Sequence, residues 1–203
     1  MRTFLNSFAI SRAGAVASVA ANRRFRRALP VTIRLAMLGW GAVTIGLGAA
    51  ATLSTGLGPG PFDVLIAGIA NQTGLSFALS LWVAAGALAT VAIILGRRPG
   101  PGTVLAPLII GPVIQFSTDV MGSWSILGAG TSGGPVAVAV SFAVHLLGVA
   151  LIGFGAGALI TSGLGAGTGD LVAAATSSKL GRPVPLVRTG LELSWLGVGL
   201  MLG

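Results

Sequence analysis

The sequence predicts an all-α protein, a polytopic transmembrane helix bundle with two inverted repeats, each containing a Gly-rich broken, re-entrant short helix. Charged residues make up 8% of the chain and apolar residues 54%, and the mean hydropathy is +0.95. Soluble domains carry roughly 25% charged residues, so lipid must face most of this surface. Five long apolar runs and a repeated Gly-Asp pattern are the other two observations behind the prediction.

The composition also narrows the function classes. The absence of cysteine excludes disulfides and thiolate metal sites, and one His with four carboxylates argues against a metalloenzyme or a Ser-His-Asp hydrolase. We therefore expect no enzyme, no catalytic residue, no metal and no cofactor. The expected partners are the lipid bilayer and a small ion or solute, with a homo-oligomer as a further alternative.

The net charge of +8 does not predict nucleic-acid binding. Seven of the twelve basic residues lie at or before Arg34, and the others lie at the edges of apolar runs. This distribution is typical of topology signals. Residues 1–30 form the basic lead, in which Arg12 interrupts any signal-peptide core. We expect a cytoplasmic extension, either an interfacial helix that touches anionic lipid or a disordered tail.

Four long apolar runs follow the lead, and each can span a hydrocarbon core of ~30 Å. They cover 32–54, 76–96, 103–121 and 136–162, and a fifth run covers 185–203. Two shorter segments, 60–73 and 167–180, lie between them. Fourteen helical residues reach only ~21 Å, too short to cross the membrane unaided. Pro107 and the pair Gly111-Pro112 predict a kink within the third run.

An internal repeat appears when the chain is shifted by 107 residues, which aligns 46–74 with 153–181 and extends without a gap to Gly96 over Gly203. Asp63 then falls on Asp170, and an Asp match is informative in a chain with so few acidic residues. We therefore divide the chain into unit 1 (31–121), an external loop (122–134) and unit 2 (135–203). Nothing after Gly203 corresponds to the end of unit 1, so unit 2 is either naturally shorter or truncated.

Charge placement predicts the topology. If the lead is cytoplasmic and neither short segment crosses, all twelve basic residues lie inside, whereas two crossing segments would place Arg97 and Arg98 outside. The chain is then a multi-pass protein of the inner (plasma) membrane with a cytoplasmic N-terminus. Three crossings separate equivalent points of the units, so the units are inverted. The break Gly56–Asp63 enters from outside and the break Gly163–Asp170 from the cytoplasm.

The motifs resemble a known family. GLGPGPFDVL and PGPGTVLAPLIIGPVIQ in unit 1, and GLGAGTGDLV and GRPVPLVRTGLE in unit 2, are similar to the YczE/YyaS/YitT-type bacterial integral membrane proteins. The resemblance covers about residues 32–203 and implies location and architecture, because no activity is established for that family. The family often has an aromatic residue before the first Asp, which Phe62 matches, and a bulky residue before the second, where this chain has Gly169.

The two aspartates are the main candidate site residues. Asp63 and Asp170 each follow a Gly-rich break and open an apolar stretch. Each fits an N-cap, which satisfies free N–H groups at the helix start. Each also fits a paired cation or proton site near the midplane, where carboxylates are costly unless they are used.

Other candidates accompany the aspartates. The glycines of the breaks either bend the chain tightly or expose N–H groups to an anion; they are Gly56, Gly58, Gly60, Gly163, Gly165 and Gly167. Arg188 and Glu192, spaced i, i+4, form either a structural ion pair or, through the arginine, a contact to an anionic substrate. His145 is either hydrogen-bonded to a neighbouring helix or a proton relay, and Gln115 and Asp119 could line an external vestibule.

Two functions fit these features. The leading hypothesis is a small transporter or permease-like protein whose substrate passage is lined by the two Gly-Asp breaks. The alternative is a non-transporting scaffold or accessory protein that binds a membrane partner. A membrane enzyme is less favoured, because no nucleophile–base pair is visible.

Overall fold

A computed structural model describes residues 29–121 and 134–203, and these ranges contain seven α-helices and no strand. The helices are α1 (Val31–Ser54), α2 (Pro61–Thr73), α3 (Phe77–Ile94), α4 (Pro101–Met121), α5 (Pro135–Ser162), α6 (Thr168–Leu180) and α7 (Val184–Leu202). The all-α class is confirmed. Nearly all of the predicted basic lead and of the predicted external loop lie outside the described residues.

Four of the described helices are long and apolar enough to cross a membrane, namely α1, α3, α4 and α5. They coincide with the four long runs expected from the sequence. The fifth run forms α7, which carries Arg188 and Glu192 and is not among these four. The short segments form α2 and α6, of 13 residues each. The chain is therefore a helical membrane protein in which one short helix follows α1 and the other follows α5.

Proline and glycine set several helix boundaries. Pro61 and Pro135 occupy the first turn of α2 and α5, where the missing N–H leaves no hydrogen bond unmade. Gly74, Gly163 and Gly181 end α2, α5 and α6 in the left-handed conformation. Helix α4 runs through Pro107 and Pro112 without a break, and the kink expected there stays a prediction.

Helix α1 is the central element, because it packs against both α5 and α4. Two glycine pairs bring α1 and α5 into backbone contact. A Cβ added to Gly41 would lie 2.7 Å from the Gly155 carbonyl oxygen, and one added to Gly48 would lie 2.6 Å from that of Gly148. The partner numbers fall along α5 as they rise along α1, so the two helices run antiparallel. Small residues permit this close approach.

The remaining helices pack in a regular pattern. Helix α2 lies against α7 and helix α3 against α6, while the pairs α2–α3 and α6–α7 contact one another as hairpins. One buried core cluster is shared by the first four helices and consists of Ala49, Ile66, Leu81, Ala84 and Ile114. Helix α5 carries many exposed apolar side chains, including Phe142, Leu147 and Phe154. Such a face needs lipid around it.

Candidate functional site

Both breaks are sharp turns built on glycine. In the first break Gly56 and Gly58 have φ values of 68° and 105°, and in the second Gly163 and Gly165 have φ values of 65° and 149°. L-residues rarely adopt this region, whereas glycine enters it without a steric penalty. The backbone thus favours the tight-bend interpretation at these four positions. Gly60 and Gly167 have negative φ and serve instead as the N-caps of α2 and α6.

The aspartates lie three positions past the N-cap residues Gly60 and Gly167, so the N-cap interpretation is wrong in its position. Asp63 is the third residue of α2 and Asp170 the third of α6, and both lie in an acidic first turn. Asp63 accepts a hydrogen bond from the backbone of Gly60. A Cβ added to Gly60 or Gly167 would lie 3.4 Å from Oδ2 of the respective aspartate. The two carboxylates therefore have the same local geometry, favourable for the helix dipole.

Trp195, near the middle of α7, joins the two breaks. Its ring packs against Phe62 with centroids 5.2 Å apart and planes inclined by 57°. On the other side, a Cβ added to Gly169 would lie 2.9 Å from Cη2 of the same indole. Phe62 and Gly169 each precede one of the aspartates. Gly169, which has no side chain, therefore leaves room for this tryptophan.

A charged cluster surrounds the second aspartate. The Arg188 guanidinium forms ion pairs with Asp170 across the α6–α7 hairpin and with Glu192 on its own helix, the latter at 2.9 Å from Nε to Oε1. The Arg188–Glu192 pair predicted from the spacing is confirmed, whereas the Arg188–Asp170 pair was not predicted. The three side chains are 47%, 34% and 38% exposed, so the cluster is only half-buried.

The first aspartate has different surroundings. The positions that correspond to Arg188 and Glu192 in unit 1 are Leu81 and Ala85, both buried. Within residues 29–121 and 134–203, both ion pairs involve Arg188, so Asp63 has no cationic partner there. The two breaks thus share a backbone plan but differ in charge.

The start of α4 packs directly onto the second break. The Gly102 N–H donates to the Leu164 carbonyl oxygen at 2.9 Å, and the Thr103 hydroxyl donates to that of Ala166 at 2.7 Å. A Cβ added to Gly100 would lie 2.4 Å from the same Leu164 oxygen, so glycine is required there. The PGPGT motif of unit 1 and the GLGAG motif of unit 2 therefore pack against each other. By contrast, a Cβ added to Gly58 in the first break would meet nothing within 4 Å.

Polar side chains contact the C-terminal ends of α5 and α1. Arg34 donates from Nε to the Ser162 carbonyl oxygen at 2.8 Å and from Nη2 to that of Gly163 at 2.9 Å, at the C-terminus of α5. At the end of α1, Thr55 Oγ1 lies 3.2 Å from Nδ1 of His145. This contact favours the hydrogen-bonded interpretation of the histidine. Cations and polar groups at a helix C-terminus stabilise its free carbonyls.

Gln115 and Asp119, the candidates for an external vestibule, are hydrogen-bonded to each other, and Gln115 also binds the start of α3. Gln115 accepts a hydrogen bond from the Phe77 N–H at 3.1 Å, at the start of α3, and donates to Asp119 at 3.1 Å.

Sequence reasoning did not assign Trp195, Arg34 or Thr103 to the site. The Gly-Thr pair in PGPGT is the clearest signal that could have identified one of them, because a hydroxyl there has few uses besides binding a backbone carbonyl.

Comparison with known proteins places the chain in a family. The profile of a family of unknown function, DUF6198, matches residues 3–119 and 32–203. The chain belongs to this family. It is 31% identical over 160 residues to the uncharacterized membrane protein YczE of Bacillus subtilis, covering 77% of this chain and 68% of that protein.

A second relative is an uncharacterized protein of Haemophilus influenzae, 29% identical over 159 residues, which covers 78% of this chain and 68% of that protein. No solved structure matches the chain. The predicted resemblance to YczE-type membrane proteins is thereby confirmed. The relatives support a membrane location for the chain and leave its activity to be inferred from the site.

Proposed function

We propose that the chain is a small transporter of the cell membrane, formed by two inverted units, with a substrate passage that follows the two Gly-Asp breaks. The observation that carries the proposal is the contact of Phe62 and of Gly169 with the same Trp195 indole. These two residues occupy equivalent places in the two units. A single side chain near the middle of α7 therefore joins both broken segments, as expected for a central binding site between repeats.

The helix packing supports the inverted arrangement. The pair Gly41–Gly155 becomes the pair Gly148–Gly48 when each residue is exchanged for its equivalent 107 positions away, and both contacts occur. The packing of α2 on α7 likewise becomes that of α6 on α3. Equivalent helices α1 and α5 run antiparallel. This is the pattern of a two-fold axis that relates units of opposite orientation.

Helix lengths support a deep position for the aspartates. Asp170 lies ten residues from Leu180, the last residue of α6, and Asp63 lies ten residues from Thr73, the last residue of α2. At 1.5 Å per residue each carboxylate is about 15 Å from the far end of its helix, half of a ~30 Å hydrocarbon core. A carboxylate at that depth is expensive unless it has a partner or a function.

The two aspartates have different parts in this proposal. Asp170 is held by Arg188, so it positions the second break and keeps the arginine in place. Asp63 has no cationic side chain beside it among the described residues, which leaves its carboxylate for a proton or a small cation. The passage would then suit an ion or solute with a positive charge, or a solute coupled to one.

The non-transporting scaffold is the second candidate, and the completed ion-pair cluster favours it. Arg188 is satisfied by two carboxylates, an arrangement that can serve stability alone. Under this alternative, the breaks are rigid corners and Trp195 is a core side chain.

Accessibility from each side of the membrane tests the proposal. The chain contains no cysteine, so single-cysteine variants need no background substitutions. Gly60→Cys and Gly167→Cys form a matched pair, because an added Cβ at either position meets only an aspartate oxygen at 3.4 Å. With a charged, membrane-impermeant thiol reagent on oriented vesicles, we expect Gly60→Cys to react from outside and Gly167→Cys from the cytoplasmic side.

Gly153→Cys is the control. It lies on the exposed face of α5 with nothing within 4 Å of an added Cβ, so the thiol should face lipid and stay unreactive. Reaction of both break positions from one side only would refute the inverted arrangement.

Transport itself needs a flux measurement. Purified protein in liposomes would be screened for uptake of cations and small solutes, with Asp63→Asn beside Asp170→Asn. Loss of uptake in a folded Asp63→Asn variant supports the transporter. Variants that only lower the yield of folded protein, while any associated phenotype persists, support the scaffold.

A further inference from the structure

Four basic residues lie at or just after the C-terminal ends of α3 and α6, two helices from distant parts of the chain. Arg97 Nη2 donates to Ser178 Oγ at 2.8 Å, which ties the chain after α3 to the last turn of α6. Ser177 Oγ donates to the Arg182 carbonyl oxygen at 2.6 Å and fixes the turn between α6 and α7. We call the set Arg97, Arg98, Lys179 and Arg182 the basic patch.

The basic patch is not neutralised by ion pairs in the part of the chain that the structure describes. Both ion pairs within residues 29–121 and 134–203 involve Arg188, and none involves a member of the patch. All four residues are exposed. The C-terminal carbonyls of α3 and α6 carry partial negative charge here, equivalent to about half an elementary charge per helix. Four full positive charges exceed that amount, so the surface stays strongly positive and attracts an anion.

Exposed apolar side chains border the patch on the helix side. Ile94 is 73% exposed at the end of α3, Leu180 is 63% exposed at the end of α6, and Leu186 is 60% exposed in the first turn of α7. A soluble phosphate would make no use of such a wall. A phospholipid would use both parts, because its headgroup is charged and its acyl chains need apolar contacts.

We propose that the basic patch is a binding site for an anionic phospholipid, with the phosphodiester on the four cations and the acyl chains along Ile94, Leu180 and Leu186. None of the four patch residues belongs to a Gly-Asp break, although Gly100, two residues after Arg98, contacts the second one. The proposal does not depend on the transport proposal. A phospholipid seated there would tie the ends of α3 and α6 to the start of α7 through a single headgroup.

Lipid binding to the purified full chain in neutral detergent tests the proposal. The probes are phosphatidylglycerol, phosphatidylcholine of the same chain length, and glycerol phosphate, each titrated while bound lipid is counted by native mass spectrometry. We expect saturable binding of phosphatidylglycerol, with phosphatidylcholine weaker and glycerol phosphate unable to compete. Equal binding of the two lipids would overturn the proposal, and competition by glycerol phosphate at the same concentration would assign the patch to a soluble anion instead.

Matched charge-removing variants locate the site. Lys179→Gln combined with Arg182→Gln should weaken phosphatidylglycerol binding about thirtyfold, since each surface cation contributes about fivefold. Arg23→Gln combined with Arg24→Gln removes the same charge from the basic lead and should leave the saturable site in place. Equal losses from the two variants would refute a defined site.

A charge-conserving variant controls for folding. Lys179→Arg combined with Arg182→Lys keeps both charges and should retain binding, and the lipid-free melting temperature should match that of the unmodified chain. Loss of binding in this folded variant would contradict a site that depends on charge.

Discussion

The contact between α1 and α5 provides the sharpest test of the fold. Gly41→Ala adds one Cβ that would lie 2.7 Å from the Gly155 carbonyl oxygen and 3.0 Å from the Leu159 nitrogen. Both atoms belong to the backbone of α5, so no side-chain rotation can relieve the contact. An ordinary van der Waals contact begins at 3.4 Å, and the helices must therefore separate locally by several tenths of an ångström.

Gly39 supplies the matched control. It lies two residues earlier on the same helix, and an added Cβ there meets nothing within 4 Å. Both substitutions gain the same helix propensity, up to about 1 kcal/mol for Gly to Ala. Over-packing costs about 1–3 kcal/mol, so the free energies of unfolding of the two variants should differ by that amount.

The assay is equilibrium unfolding of purified protein in mixed micelles, followed by helix content. Gly155→Ala should destabilise as Gly41→Ala does, because its Cβ would lie 2.6 Å from the Gly41 carbonyl oxygen. The double variant should cost less than the two single variants together, since the first separation of the helices relieves the second contact. If Gly41→Ala proved as stable as Gly39→Ala, the backbone contact between α1 and α5 would be wrong.

Three further predictions concern the breaks. Thr103→Val should lower the free energy of unfolding by about 1–3 kcal/mol, because the Ala166 carbonyl oxygen loses its donor, whereas Thr103→Ser should restore most of it in the same melt. Gly169→Ala should lower the melting temperature and Trp195→Phe should partly rescue it, because the added Cβ meets only the outer ring of the indole; a rescue that fails would refute this packing. Arg34→Gln should expose the α5 terminus to faster hydrogen exchange at the following glycine turn, and unchanged exchange would show that the arginine does not cap it.

Helix positions could be predicted well from the sequence, because the determinants are local. The short segments were expected at 60–73 and 167–180 and occur at Pro61–Thr73 and Thr168–Leu180. Glycine and proline fix these boundaries through backbone conformation alone. The i, i+4 pair of Arg188 and Glu192 was equally accessible, since helix geometry determines which residues are neighbours.

Contacts between helices could not be predicted in the same way. The second partner of Arg188 lies 18 residues earlier, and the partner of Thr103 lies 63 residues away. Hydropathy places a residue in a helix, but it does not say which helix lies opposite. Gly169 illustrates the limit: from the sequence it was a departure from a family pattern, and only the position of Trp195 gives its physical reason.

The asymmetry between the two breaks has a mechanical consequence under the transport proposal. Separating α6 from α7 at the second break must part Arg188 from Asp170, whereas the matching movement in unit 1 separates buried apolar residues around Leu81. Added salt weakens the attraction between the charges of a half-buried ion pair, whereas it does not weaken apolar contacts. Ionic strength should therefore shift the accessibility of Gly167→Cys more than that of Gly60→Cys. An equal response at both positions would mean that the ion pair takes no part in opening. The charged cluster would then have only a structural role.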